Sequence, residues 1–310
     1  MKVSITVEGW GLGWDRWKEL ITRLEADGYA TIYKCDHFNW ANDIHLETYV
    51  ALTYLASHVP RVNFGTLVSP LSFRDPVMLA RQATAIDDLS SGRMILGVGA
   101  GWNEDEHKMF GYRLGPVKER LDRLEEGLEV ITKLIRSDKP VTFEGQYFQL
   151  HDAVLLPRPQ RPTQILIGGN GPKRTLPIVA KYADIWNGDG KLEQFKENNV
   201  LLTNLLLENG RQASDVKRTN SVFMSCWRTD AERDQILSEI SGDILNFFGG
   251  RDSFIDFLRD HFADPSPAGV VARFKAFEDA GCEEIVIHYA GMMGNTQLDV
   301  FAEHILPHFN

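Results

Sequence analysis

The sequence predicts a (β/α)8 TIM barrel, and three observations carry that prediction. Short apolar runs alternate with amphipathic stretches, eight of the runs read as strands, and 310 residues suit one such barrel. Hydrophobic residues at 43% and charged residues at 25% are ordinary globular usage, with enough apolar side chain for a sizeable core. A doubly wound Rossmann sheet is the competing architecture, because strand–helix alternation alone does not separate closed from open parallel sheets.

Val3 to Val7 reads as the first strand, followed by glycine-rich GWGLGW and an amphipathic helix from Trp14 to Ala26 that ends at Gly28. Ala30 to Lys34 is the second strand. The helix from Glu47 to Val59 follows, and Pro60 stops it. Strand three is Val62 to Val68, the next helix is Val77 to Leu89, and strand four is Met94 to Val98. The helix from Val117 to Ile135 shows the clearest period, with Val117, Leu121, Leu124, Leu128, Ile131 and Ile135 on one face. Gln164 to Ile167, Ala183 to Trp186, Asn220 to Trp227 and Glu284 to His288 complete the strands. Helices are expected over Lys173 to Tyr182, Leu192 to Asn209 and Leu298 to Ile305. Residues 1–310 are read as one domain with two excursions, a hairpin near 141–150 and a helical insertion near 231–267.

Lysine and arginine number 33 against 43 acidic residues, a net charge of -10, so no broad basic face is available for nucleic acid. Three well-separated cysteines, Cys35, Cys226 and Cys282, form neither a disulfide framework nor a CxxC motif, which fits a reducing cytoplasm. The N-terminus lacks an apolar signal core, and no run approaches a membrane span, so a soluble, untargeted protein is expected.

In a barrel, functional groups belong at the carboxyl ends of the strands. Those ends are Glu8, Asp36 and His37, Leu67 to Ser69, Gly99 to Trp102, Gly168 to Asn170, Trp186 and Asn187, and His288 and Tyr289. The segment ILIGGNGPKRTL sets three glycines between a strand and a helix, so backbone amides and the helix amino end can hold a phosphate, aided by Thr175 and by Lys173 or Arg174. The same glycines would also suit a tight strand-to-helix turn. LGVGAGW resembles the start of a dinucleotide-binding GxGxxG, yet Trp102 stands where the third glycine belongs. Its small residues could let a flat ring approach the backbone with Trp102 as a wall, or could serve close strand packing. The Asp36 and His37 pair could move a proton beside a ring, or could cap a turn. His107 alone reads as a surface residue. His304 and His308 lie four apart across Pro307 with no third ligand, so no metal site is expected.

Taken together, CDHFNW, GTLVSPLSFRDPVMLARQATAIDDLSSGR, LGVGAGWNEDEHKMFG, RLDRLEEGLEVI and ILIGGNGPKRTL resemble the bacterial luciferase-like superfamily, in particular its deazaflavin (coenzyme F420)-dependent oxidoreductase branch. The resemblance runs in order from Val3 to Asn187. It implies a TIM barrel whose carboxyl end takes a deazaflavin or flavin ring. It assigns Gly169, Asn170, Gly171, Arg174 and Thr175 to the phosphate, and Asp36, His37, Leu67, Val68, Ser69, Gly99, Gly101 and Trp102 to the cofactor's surroundings. It also implies a non-proline cis peptide between Leu67 and Val68, and His37 as proton donor or acceptor, with Glu106 and His107 as substitutes. Sugar-phosphate-oxidising relatives carry a glutamate acid where this chain has Trp102, which argues against that substrate. Trp10, Trp14, Trp40, Trp102 and Trp186 suggest a ring-lined, apolar pocket.

The activity implied is hydride transfer between coenzyme F420 and a small organic substrate. The alternatives are a two-component monooxygenase using FMN from a partner flavin reductase, and a non-catalytic ligand-binding barrel. Relatives commonly form homodimers, the assembly implied for this chain.

Overall fold

The computed structural model describes residues 1–7, 12–38, 45–240, 242–261, 264–289 and 295–309. Glu8, Trp10 and Trp40 lie outside the described residues. Among those described, eight parallel strands close into a barrel: β1 (Lys2–Val7), β2 (Thr31–Lys34), β3 (Asn63–Thr66), β4 (Met94–Gly99), β5 (Gln164–Gly168), β6 (Ile185–Asp189), β7 (Lys217–Phe223) and β8 (Glu284–Tyr289). The order is β3-β2-β1-β8-β7-β6-β5-β4, and Phe64 and Gly65 of β3 pair with Met94 and Ile95 of β4 to close the ring. Closure decides against the open sheet, since a doubly wound fold leaves two free edges.

Period-two alternation sends one set of strand side chains to the helices and the other to the axis. Tyr33, Ile95, Leu166, Ile185 and Val286 meet inside the barrel, with Leu67 and Val68 packed on them. The larger core lies outside the strands, under the helices, where Trp17, Leu52, Leu79, Leu128, Val179 and Phe277 are buried. Local chemistry sets the helix ends. Asp75 accepts the amides of Val77 and Met78 at 2.9 and 3.0 Å ahead of Pro76, which starts the helix Pro76–Leu89. The helix following strand four's loop region, Val117–Arg136, buries Leu124, Leu128, Ile131 and Ile135 as its period predicts, while Val117 stays exposed.

Several boundaries differ from expectation. β6 starts at Ile185, because Ala183 still caps the preceding helix and the Asp184 carboxylate accepts the Ile165 amide at 2.8 Å. β7 starts three residues early, at Lys217, with Arg218 buried on the carbonyls of Ala213 and Val216. Charge hid that strand from a hydrophobicity reading. β3 ends at Thr66; the chain passes through a cis peptide between Leu67 and Val68 and pairs again with β4 at Ser69–Pro70. The helix Glu104–Phe110 follows β4 at the carboxyl face and was not anticipated. A hairpin of Val141–Glu144 and Gln149–Ala153 precedes β5, and helices Asp230–Glu239, Gly242–Phe247 and Arg251–His261 follow β7. Among the described residues, no helix is long and apolar enough to cross a membrane.

Two glycines are required where β3 and β4 meet. A Cβ on Gly97 would lie 1.9 Å from the Thr66 carbonyl oxygen, and one on Gly65 would lie 2.2 Å from the Ile95 oxygen. Both clashes are with backbone, which cannot swing aside. Gly97→Ala is therefore expected to lower stability by about 1–3 kcal/mol, as overpacked cores do; urea unfolding monitored by circular dichroism reads the change, and an unchanged midpoint would contradict the packing.

Candidate active site

The carboxyl ends of the strands bring three parts together. The first is the floor. The Val68 side chain rests against Gly97, Gly99 and Gly168, with its Cγ atoms 3.2, 2.5 and 3.5 Å from where Cβ atoms would stand. The glycines of LGVG thus receive β3's end first, so the close-packing reading of that motif holds at Gly97 and Gly99. Gly101 has φ +82 and would meet Ser72 Oγ at 2.3 Å if it carried a Cβ, so it serves a turn against the β3 loop.

The second part is the Asp36 and His37 pair, whose members face opposite ways. Asp36 turns outward and is buried. Its Oδ2 accepts Arg74 Nε at 3.0 Å and Ser69 Oγ at 2.7 Å, and its Oδ1 accepts Arg74 Nη2 at 2.6 Å. Tyr49 joins Ser69 at 2.9 Å, and Arg74 also reaches Glu47 at 2.8 Å. Burial opposes the Arg74 charge, yet the Asp36 and Glu47 carboxylates hold its pKa above the usual arginine value. Asp36 and Ser69 thereby lock the β2 and β3 loops together. Arg74 was missed in the sequence because an arginine before an N-cap reads as surface.

His37 turns toward the mouth. Its Nδ1 is 2.8 Å from Glu106 Oε2, and Glu106 Oε1 accepts the Phe38 amide. Glu106 is buried in the first turn of Glu104–Phe110, where Asn103 caps its amide at 3.2 Å. The His37 ring sits edge-on to Trp102, centroids 5.9 Å apart. Trp102 is 57% exposed, which leaves a large indole surface at the mouth. Phe38 extends the rim, with Phe73, Phe110 and Tyr112 at centroid distances of 4.7, 4.9 and 5.4 Å. On the opposite side Phe223 stacks on His288 at 5.2 Å beneath Phe257.

His107 does not join this group. It is buried, with Nδ1 2.6 Å from the carbonyl of Asn103, the helix's own N-cap, and Nε2 2.6 Å from Ser72 Oγ, so Nε2 ties the short helix to the β3 loop and both ring nitrogens are engaged. Trp186 also departs from expectation. It is fully buried, donates Nε1 to the Gly169 carbonyl at 2.9 Å, and stacks on Phe195. Trp14 packs edge-on to Tyr54 among the outer helices. Of the described tryptophans in the expected pocket set, Trp102 alone stands at the mouth.

The third part is the loop after β5. Gly169 has φ +123, and a Cβ on Gly171 would come 2.8 Å from Thr175 Oγ1. The helix Thr175–Tyr182 begins there with its amino end toward the mouth, and Arg174 offers no side-chain cap. Asn170 closes the loop onto β6, donating to the Asp189 carbonyl while its Oδ1 accepts the Asp189 amide. Arg174 is held by Asp122 at 2.7 Å and Glu125 at 3.5 Å. Asp122's carboxyl is held below its usual range by Lys118 and Arg174. A group placed on this loop would meet backbone amides and the Thr175 hydroxyl, a donor set suited to phosphate. The glycine cradle and these donors fit the phosphate of a flavin or deazaflavin, and the floor at Val68 fits its flat ring.

A family model described as luciferase-like monooxygenase matches residues 4–296. The chain belongs to the luciferase-like monooxygenase family. It is 30% identical to an F420-dependent glucose-6-phosphate dehydrogenase of Amycolatopsis mediterranei over 93% of this chain and 92% of that one. In fold it is similar to an F420-dependent secondary alcohol dehydrogenase solved with an F420-acetone adduct, with TM-score 0.81, 20% identity and 100% of both chains covered. A monooxygenase from Streptomyces bottropensis is similar too, with TM-score 0.83, 20% identity and 100% of both chains covered.

The Asp36–Arg74 pair is expected to carry much of the site's rigidity. Asp36→Ala leaves a largely buried guanidinium short of its main partner and should cost about 3–5 kcal/mol; a chemical denaturation curve measures it, and a loss below ~1 kcal/mol would show the pair to be peripheral.

Proposed function

We propose that this chain is an oxidoreductase that passes a hydride between coenzyme F420 and a small organic substrate at the carboxyl end of the barrel. One observation carries the reading: an imidazole held by a buried carboxylate, His37 on Glu106, shares a mouth with a glycine and threonine cradle suited to phosphate. When bound, the deazaflavin supplies or accepts the hydride at its ring carbon. The protein's part is to bind, orient and move a proton. The Gly171 amide and the Thr175 hydroxyl hold the phosphate in the turn that Gly169 shapes, Val68 supports the ring, and His37 exchanges the proton that accompanies the hydride.

The relative from Amycolatopsis, similar over nearly its whole length, favours F420 over FMN. Its glucose-6-phosphate substrate is less well matched here. Trp102 and Phe38 present apolar surface at the mouth, which suits a less polar organic molecule than a sugar phosphate.

Titrating the purified protein separately with F420 and FMN tests the proposal. F420 should bind, and Thr175→Ala should weaken it about tenfold, the loss of one hydrogen bond to a charged group. Binding of a deazaflavin lacking the phosphate should be unaffected by that substitution. Binding of FMN alone would favour a monooxygenase served by a flavin reductase, and failure of both would favour a non-catalytic barrel.

A further inference from the structure

We infer that Glu106 is a positioning residue that sets the proton-carrying atom of His37. The carboxylate lies 2.8 Å from Nδ1, and its side chain is 1% exposed against 12% for His37. A carboxylate accepts hydrogen bonds and cannot donate when ionised, so this contact requires a proton on Nδ1. In the neutral imidazole the other nitrogen, Nε2, is then the basic atom. Glu106 also stabilises the imidazolium, so the ring can take a proton at Nε2 and return it without turning over. This rests on the proposed function only in taking His37 as the proton carrier.

The geometry is built for one orientation. Glu106 grips the chain twice, at the His37 ring and at the next backbone amide, Phe38. It is itself fixed by the Asn103 cap, and its neighbour His107 anchors the same helix to Asn103 and Ser72. Trp102, four residues before Glu106, bounds the imidazole from its side. Trp102 and Glu106 thus bound the imidazole at its ring and at Nδ1.

The role is separable from simple loop anchoring. Glu106→Gln keeps an oxygen for the Phe38 amide but turns an NH2 group toward Nδ1, which must then accept. The substitution should move the neutral-ring proton from Nδ1 to Nε2. Nitrogen-15 NMR of the histidine-labelled, ligand-free protein reads this directly, with the His37 signals identified by backbone assignment. The wild type is expected to show a protonated Nδ1, and Glu106→Gln an unprotonated Nδ1 with F420 affinity within about twofold of wild type, since the phosphate donors are untouched. A wild-type His37 with Nδ1 bare, or a substituted protein with Nδ1 still protonated in its neutral ring, would overturn the assignment. Should the variant fail to fold, the wild-type spectrum still decides. F420 failing to bind the wild type, by contrast, would count against the proposed function and leave the tautomer result standing.

Discussion

The site depends on how closely β3 approaches β4. Thr66 and Ile95 place carbonyl oxygens where Cβ atoms of Gly97 and Gly65 would be, so the strands meet with nothing between them. That approach closes the ring and lets the chain cross the barrel mouth at Leu67 and Val68. Val68 then seats on Gly97, Gly99 and Gly168 and caps the interior cluster of Tyr33, Ile95, Leu166, Ile185 and Val286. The result is a flat apolar floor over a filled barrel. Larger residues on β4 would push this floor away and open a hole beneath it.

Around that floor, two adjacent residues of one loop separate structure from chemistry. Asp36 faces outward and spends its carboxylate on Arg74 and Ser69, which fixes the loops of β2 and β3. His37 faces inward and meets a second carboxylate, Glu106, delivered by a helix that the sequence did not advertise. Two buried carboxylates thus hold one short segment from both sides. Such fixation is what proton exchange with a bound molecule asks for, because a side chain already ordered loses little freedom when the substrate arrives.

Much of the fold was legible because barrel strands buried on both faces are nearly continuous apolar runs, as in Met94–Gly99 and Glu284–Tyr289. Legibility failed where polar groups are buried on specific partners. Arg218 sits near the start of β7 because nearby carbonyls accept its guanidinium hydrogens, and Arg74 is structural because Asp36 lies opposite, 38 positions away in the chain. Trp186 is expected at the pocket from its place at a strand end, and His107 as a substitute proton carrier only through the family resemblance. Yet His107 has both nitrogens occupied, and Trp186 is fully buried on β6, stacked on Phe195. Glu106 went largely unread because EDEH offers three acids in a row, and only the helix phase decides which one points inward. The glycine-rich loop lies after β5 as the spacing predicts, and the side chains of Asn170 and Arg174 are braced on Asp189 and on Asp122.

A crystal structure of the protein with F420 tests the central claim most directly. The account predicts the phosphate within hydrogen-bonding distance of Thr175 Oγ1 and the Gly171 amide, the ring lying on Val68, and His37 at the ring's edge. Coenzyme bound away from this mouth, or a ring kept off Val68 by the aromatic rim, would contradict it.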